Sequence, residues 1–210
     1  MTEFETRRLL VYLAASLFQR GFCVGSAGNI SVRLDDGYLM TPTNASFGRL
    51  DANILSKLDT KFRHVSGEKP SKEVFMHRAF YNARPEVGAV VHLHSTMATA
   101  IACLADVDTD NPIPPATPYF VMRVGRRLPL VPYFRPGDPA MEQAIFTEAA
   151  SARAVLLANH GPVVSGKTLE DAVRIAEELE ESATLFMLLR GAPVRLLSAG
   201  QIDALLDDTQ

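Results

Sequence analysis

Two histidines one residue apart, in Val90-Val91-His92-Leu93-His94, are the first groups in this chain with the makings of a chemical site. Side chains alternate between the faces of a β-strand, so His92 and His94 project to the same side. The residues before them, Val87 to Val91, are apolar and β-branched enough to read as a buried strand. A third imidazole, His160, follows another apolar run, Ala154-Val155-Leu156-Leu157-Ala158, and sits before Gly161-Pro162, where a turn should end that strand. Three imidazoles on rigid supports suit a divalent transition metal, zinc above all, with one position open for a substrate. The other reading is three unrelated structural histidines. Spacing alone leaves both open.

The rest of the chain supplies the elements that would carry these groups. Residues 4 to 20 form an amphipathic helix by the spacing of Phe4, Leu9, Leu10, Leu13, Leu17 and Phe18, and Gly21 stops it. A glycine-rich stretch, Gly25 to Ser31, leads into a strand over Ser31 to Leu34. Asp35-Asp36-Gly37 turns the chain into a returning strand, Tyr38 to Met40, and Thr41-Pro42-Thr43-Asn44 makes a second polar turn. Small residues with free backbone N–H groups, such as Gly28 and its neighbours, are what a bound phosphate requires, although two ordinary loops would look the same. Lys57 to Val65 reads as an edge hairpin.

Ser71 is the expected N-cap of a helix running to about Ala83, which puts Glu73 in the first turn, where the helix dipole favours an acid. His77 follows one helical turn later and is read as structural, and His64 receives no role. After the histidine strand, Ser95 should cap a helix from Thr96 to Leu104. Ala105 to Pro118 holds four prolines and reads as a long irregular loop, with Tyr119 at its end. A strand over Leu128 to Phe134 and a helix after Gly137-Asp138 precede the third histidine. The longest helix, Thr168 to Arg190, is capped by Thr168 with Asp171 three residues on, and its acidic run Glu177 to Glu181 reads as a solvated face. A short helix at about 199 to 206 follows.

A net charge of -3 gives no electrostatic reason to expect nucleic acid, and no basic cluster interleaves with aromatics. The two cysteines, Cys23 and Cys103, form no C-x-x-C pattern, so neither a disulfide framework nor a thiolate metal site is implied. No apolar run approaches 18 residues, and the first residues are acidic where a signal peptide would be basic. A single domain over residues 1–210, soluble and cytoplasmic, is the expectation.

The ordered motifs Ser26-Ala27-Gly28-Asn29-Ile30-Ser31, Thr41-Pro42-Thr43, Ser71-Lys72-Glu73, His92-Leu93-His94 and Asn159-His160-Gly161 resemble those of the class II aldolase/adducin family. The resemblance spans roughly residues 5 to 190. It implies a three-layer α/β/α domain with a central, mostly antiparallel sheet, assembled as a homotetramer with active sites at subunit interfaces. It also implies one Zn2+ per subunit on His92, His94 and His160, with another divalent metal as an option. The catalytic acid would be Glu73, and a substrate phosphate would rest on Gly28, Asn29, Thr43, Asn44, Ser71 and Lys72. Tyr119 is the residue that a neighbouring subunit could contribute, or else an interface packing residue.

Lys69 to Glu73, Thr117 to Arg123 and Val131 to Asp138 are most similar to the branch that decarboxylates 3-oxo-tetronate 4-phosphate. Asn44 and Lys72 depart from the sugar-phosphate aldolase pattern. The implied reaction is zinc-dependent loss of carbon dioxide through a metal-stabilised enediolate, leaving dihydroxyacetone phosphate. The partner is a small phosphorylated sugar acid, with neither nucleic acid nor membrane involved. A proton-donating Glu73 would need its pKa raised towards neutrality. The alternative within the family is an aldolase or epimerase acting on a ketose phosphate.

Overall fold

A computed structural model describes residues 1–135 and 138–207. The first helix, α1 (Glu3–Gln19), starts at a capping box in which Thr2 and Glu5 satisfy each other's backbone N–H groups. Two strands follow, β1 (Asn29–Leu34) and β2 (Gly37–Met40), then the hairpin β3 (Ser56–Leu58) and β4 (His64–Ser66) at the expected edge position. Next come α2 (Val74–Ala83), β5 (Ala89–His92), α3 (Thr96–Ala102) and α4 (Pro118–Arg123). The chain continues through β6 (Leu130–Val131), α5 (Pro139–Ala149), β7 (Ala154–Leu157), β8 (Gly161–Gly166), α6 (Leu169–Leu189) and α7 (Ala199–Asp207).

Among the described residues, eight strands join one sheet in the order β4-β3-β2-β1-β5-β8-β7-β6. Every pair is antiparallel except β6 with β7. The period-2 pattern sorts side chains between two apolar cores. Ile30, Val32, Ala89, Val91, Leu93 and Leu156 face α1, α3, α4 and α6. Val90, Val155, Leu157 and Val163 face α2 and α5, whose Met76, Phe80, Met141 and Ile145 close that side. The α/β/α layering and mostly antiparallel sheet are as expected. His92, two residues after Val90, therefore points towards the α2 and α5 layer. β1 pairs Asn29 with His92 and Ser31 with Val90, which turns Asn29 and Ser31 to that same side.

Several local expectations are corrected. Gly161-Pro162 opens a strand, β8, instead of closing β7. Proline survives there because its carbonyl still accepts from Leu93 N and His92 Nδ1, and only its donor is missing. β5 stops at His92, leaving His94 in the segment just beyond it. The strand expected over Leu128 to Phe134 shrinks to Leu130–Val131 because Pro129 and Pro132 flank it.

Helix α2 begins at Val74 with Glu73 in the cap position, and Ser71 is not its N-cap. The Ser71 Oγ and carbonyl are taken by Glu73 N and Val74 N, while its own N–H bonds Thr41 O. Ser95 makes no side-chain cap on α3. Glu180 of α6 fills that place, its two carboxylate oxygens accepting from Met97 N at 2.8 Å and Ala98 N at 2.9 Å. The acidic run is thus more than a solvated face: Glu177 pairs with Arg20 and Leu179 is fully buried. Tyr119 lies on α4, outside the loop expected to hold it. Gly137, expected before α5, lies outside the described residues. Among the described residues no helix is long and apolar enough to cross a membrane.

Candidate metal centre

The three expected histidines converge. His92 ends β5, His94 follows it, and His160 sits in the β7–β8 turn, where Asn159 takes a positive φ of 58°. Their ring centroids are 4.8 to 4.9 Å apart, and one ligating nitrogen from each lies within 4.8 Å of the others. Gly161 permits this approach: a Cβ there would stand 2.5 Å from Leu93 O, with φ at +153°. Gly28 does the same on the other side, where a Cβ would meet His92 O at 2.8 Å.

Whether this cluster fits a divalent cation is decided by its lone pairs. The Pro162 carbonyl accepts from His92 Nδ1 at 2.9 Å, so the Nδ1–H tautomer is held and a bare Nε2 faces inwards. That Nε2 lies 3.0 Å from His94 Nε2, close enough that a shared cation or proton must separate the two lone pairs. Burial pushes the His92 pKa down to about 3 against the opposing pull of Glu73, so the ring is neutral, as a metal ligand must be. Burial also lowers His94, helped by the nearby His160. The His92/His94/His160 cluster can coordinate a divalent metal.

Glu73 enters from the start of α2. Its Oε1 lies 3.4 Å from His160 Nε2 and its Oε2 lies 3.7 Å from His92 Nε2, while Asn29 Nδ2 donates to Oε2 at 2.7 Å. Burial pushes the Glu73 carboxyl up. The hydrogen bond from His160, the electrostatic pull of the facing imidazoles and the Asn29 amide outweigh it and hold the group below the ordinary glutamate range. The upward shift expected for a proton donor is therefore not the resting condition of this carboxyl.

A cavity of about 420 Å³ opens beside Glu73, His94 and His160, and its lining includes every residue expected around a phosphate: Gly28, Asn29, Thr43, Asn44, Ser71 and Lys72. The backbone N–H groups of Gly28, Asn44 and Lys72 make no hydrogen bond among the described residues, and Gly28 and Asn44 both have positive φ. Such bare amides suit an anion. The amides of Thr43 and Ser71 are already committed, to Lys69 O and Thr41 O. Asn29 is more engaged than expected, since its side chain also meets His77 Nε2 through Oδ1.

A second cavity, of about 450 Å³, shares Glu73, His94, Met141 and His160 with the first and is otherwise walled by residues including Pro132, Tyr133, Phe134 and Asn159. Sequence reasoning named these residues only as carriers of the resemblance, in Val131 to Asp138 and Asn159-His160-Gly161, and gave them no place at the site. Tyr119 lines neither cavity and is largely exposed on α4. His64 is exposed on β4, where its ring meets Ser66 O.

Comparison with known proteins follows the same lines. The pattern of the family described as Class II Aldolase and Adducin N-terminal domain matches residues 8–187. A 3-oxo-tetronate 4-phosphate decarboxylase of Haemophilus influenzae is 48% identical over 203 residues, 96% of each chain. An L-fuculose phosphate aldolase of the same organism is 32% identical, covering 98% of this chain and 94% of its own. The crystal structure of Escherichia coli YgbL, described as an aldolase/epimerase/decarboxylase, superimposes with a TM-score of 0.94 at 48% identity, covering 97% of this chain and 98% of that one.

Proposed function

We propose, from the premise that this chain belongs to the class II aldolase and adducin N-terminal domain family, that it is a metal-dependent carboxy-lyase. Its substrate on this reading is 3-oxo-tetronate 4-phosphate and its products are dihydroxyacetone phosphate and carbon dioxide. The observation that carries the reading is the Glu73 carboxylate, set against His92 and His160 where the two cavities meet.

His92, His94 and His160 would hold Zn2+, one per subunit. Bound there, the ion supplies Lewis-acid stabilisation of the negative charge that grows on the substrate ketone oxygen. The chain's own residues do the rest. Gly28, Thr43, Asn44, Ser71 and Lys72 would grip the phosphate through bare amides, hydroxyls and one ammonium, with Asn29 at the boundary. That grip places the carboxylate end of the substrate towards the second cavity, whose Pro132, Phe134 and Met141 offer no cation to retain it. Breaking the bond to the carboxylate leaves its electron pair on the adjacent carbon, and Glu73 would deliver the proton that this carbon takes.

Glu73 rests as a carboxylate, so it must first acquire that proton. The phosphate and carboxylate charges arriving with substrate raise its pKa, because like charges favour the neutral form. A homotetramer with Tyr119 reaching a neighbouring site, and a cytoplasmic address, belong to the same proposal.

The test is to generate 3-oxo-tetronate 4-phosphate in situ with zinc-loaded protein and follow dihydroxyacetone phosphate by NMR. Release should exceed the spontaneous rate and fall on the order of 10²- to 10⁴-fold in Glu73→Gln. Absence of release, with cleavage of a ketose 1-phosphate instead, would place the chain with the aldolases, and Asn44 and Lys72 would lose their discriminating role.

A further inference from the structure

Behind Glu73 and Asn29 runs a chain of buried polar groups, Ser31, His77 and Tyr81, for which the mechanism above has no use. Tyr81 Oη lies 2.9 Å from Ser31 Oγ, and Ser31 Oγ lies 2.7 Å from His77 Nδ1. His77 Nε2 meets Asn29 Oδ1, and Asn29 Nδ2 reaches Glu73 Oε2 at 2.7 Å. Asn29, Ser31, His77 and Tyr81 are all at most 4% exposed, so water does not substitute for any link.

The direction of every link follows from its last member. A carboxylate only accepts, so Asn29 must present its NH2 to Glu73 and its carbonyl to His77. His77 must then donate from Nε2 and accept at Nδ1, which leaves the Ser31 hydroxyl to donate to it and to accept from Tyr81. Mere packing glue between α2 and β1 would tolerate either polarity. Only the carboxylate requires this one.

We propose that His77 is the positioning residue for Glu73: through Asn29 it fixes the amide orientation that holds the carboxylate facing His92 and His160. This rests on the reading of Glu73 as the proton-transferring group. His77 and Glu73 are four residues apart around the start of α2, while Asn29 and Ser31 reach them from β1, so one helix and one strand are registered on a single carboxylate.

The experiment compares His77→Gln with His77→Leu. Glutamine can accept at its carbonyl and donate from its amide, preserving the polarity, whereas leucine breaks it. With metal content and melting temperature matched, His77→Leu should lose on the order of 10- to 100-fold in kcat with little change in KM, and His77→Gln should recover most of it. Retained kcat in His77→Leu, or equal losses in both variants, would overturn the proposal.

Where His77→Leu does not fold, Ser31→Ala replaces it and should lower kcat more than Tyr81→Phe, since the Ser31 hydroxyl still donates without Tyr81. The reverse order would count against the proposal. Nitrogen-15 NMR supplies a reading independent of turnover: His77 should be the Nε2–H tautomer, and the Nδ1–H tautomer or an imidazolium would overturn the assignment. Full activity in Glu73→Gln would instead sink the proton-transfer reading itself, which keeps the two failures apart.

Discussion

His77 also makes the stability of the molecule depend on pH. Burial pushes its pKa from the ordinary histidine value of 6.5 down to about 3, with Glu73 opposing. In the unfolded chain it takes a proton below about 6.5; in the folded protein it does so only near 3. The unfolded state therefore binds more protons through that window, so the stabilisation is complete above 6.5 and is lost as pH falls towards 3. One proton corresponds to about 1.4 kcal/mol per pH unit. Urea unfolding between pH 7.5 and 5 should show a slope in the native sequence, to which buried His92 also contributes, and a slope shallower by up to one proton in His77→Gln. Equal slopes would mean that His77 is already charged in the fold.

At the scale of elements, α3 is held by a residue from another helix. Glu180 of α6 accepts from the first N–H groups of α3, while Ser95, in the cap position, keeps a buried hydroxyl without a partner among the described residues. Glu180→Ala should therefore cost about 0.5–2 kcal/mol, the usual range for a lost cap. Ser95→Ala should be neutral or slightly stabilising, because it removes an unsatisfied buried group. Chemical denaturation of the two variants checks this, and a larger loss in Ser95→Ala would contradict the assignment.

The pair also shows what a sequence can and cannot disclose. His92 was legible because an apolar run fixes a strand and a strand fixes which face a side chain takes, whereas His94 and His160 lie just past the ends of such runs and were legible only from following them. Glu73 was legible from the motif around it. Glu180 was not, since it lies more than 80 residues from the helix it caps. The His77 chain was half visible: its spacing to Glu73 is a helical turn, but its partners Asn29 and Ser31 arrive from β1 through sheet register. Gly161-Pro162 misled because a proline normally interrupts a ladder, and here only its carbonyl is called upon.

For the whole molecule, the histidine cluster ties two remote segments together, the end of β5 and the β7–β8 turn, and a cation bound there stabilises the fold in proportion to its occupancy. A ligand that binds only the folded state at a hundred times its Kd contributes about 2.7 kcal/mol. For a chain of this size that is a rise of roughly 5–10 °C in Tm. Calorimetry of protein stripped by chelator and then reloaded with zinc should recover this shift in the native sequence and lose it in His92→Ala. An unchanged Tm on reloading would remove the cluster from the list of metal sites.

The two cavities that share Glu73, His94, Met141 and His160 have one more consequence, which concerns time. On the proposed reaction the phosphate stays gripped by the glycine-rich side after the bond breaks, while the small neutral product is left on the side walled by Pro132, Tyr133 and Phe134. Tyr133 is largely exposed, so that side reaches solvent. Carbon dioxide can depart while the phosphorylated product is still seated, which makes release ordered. On that reading the gas would leave first and the phosphate ester last, and the second departure would set how soon the site is free to turn over again.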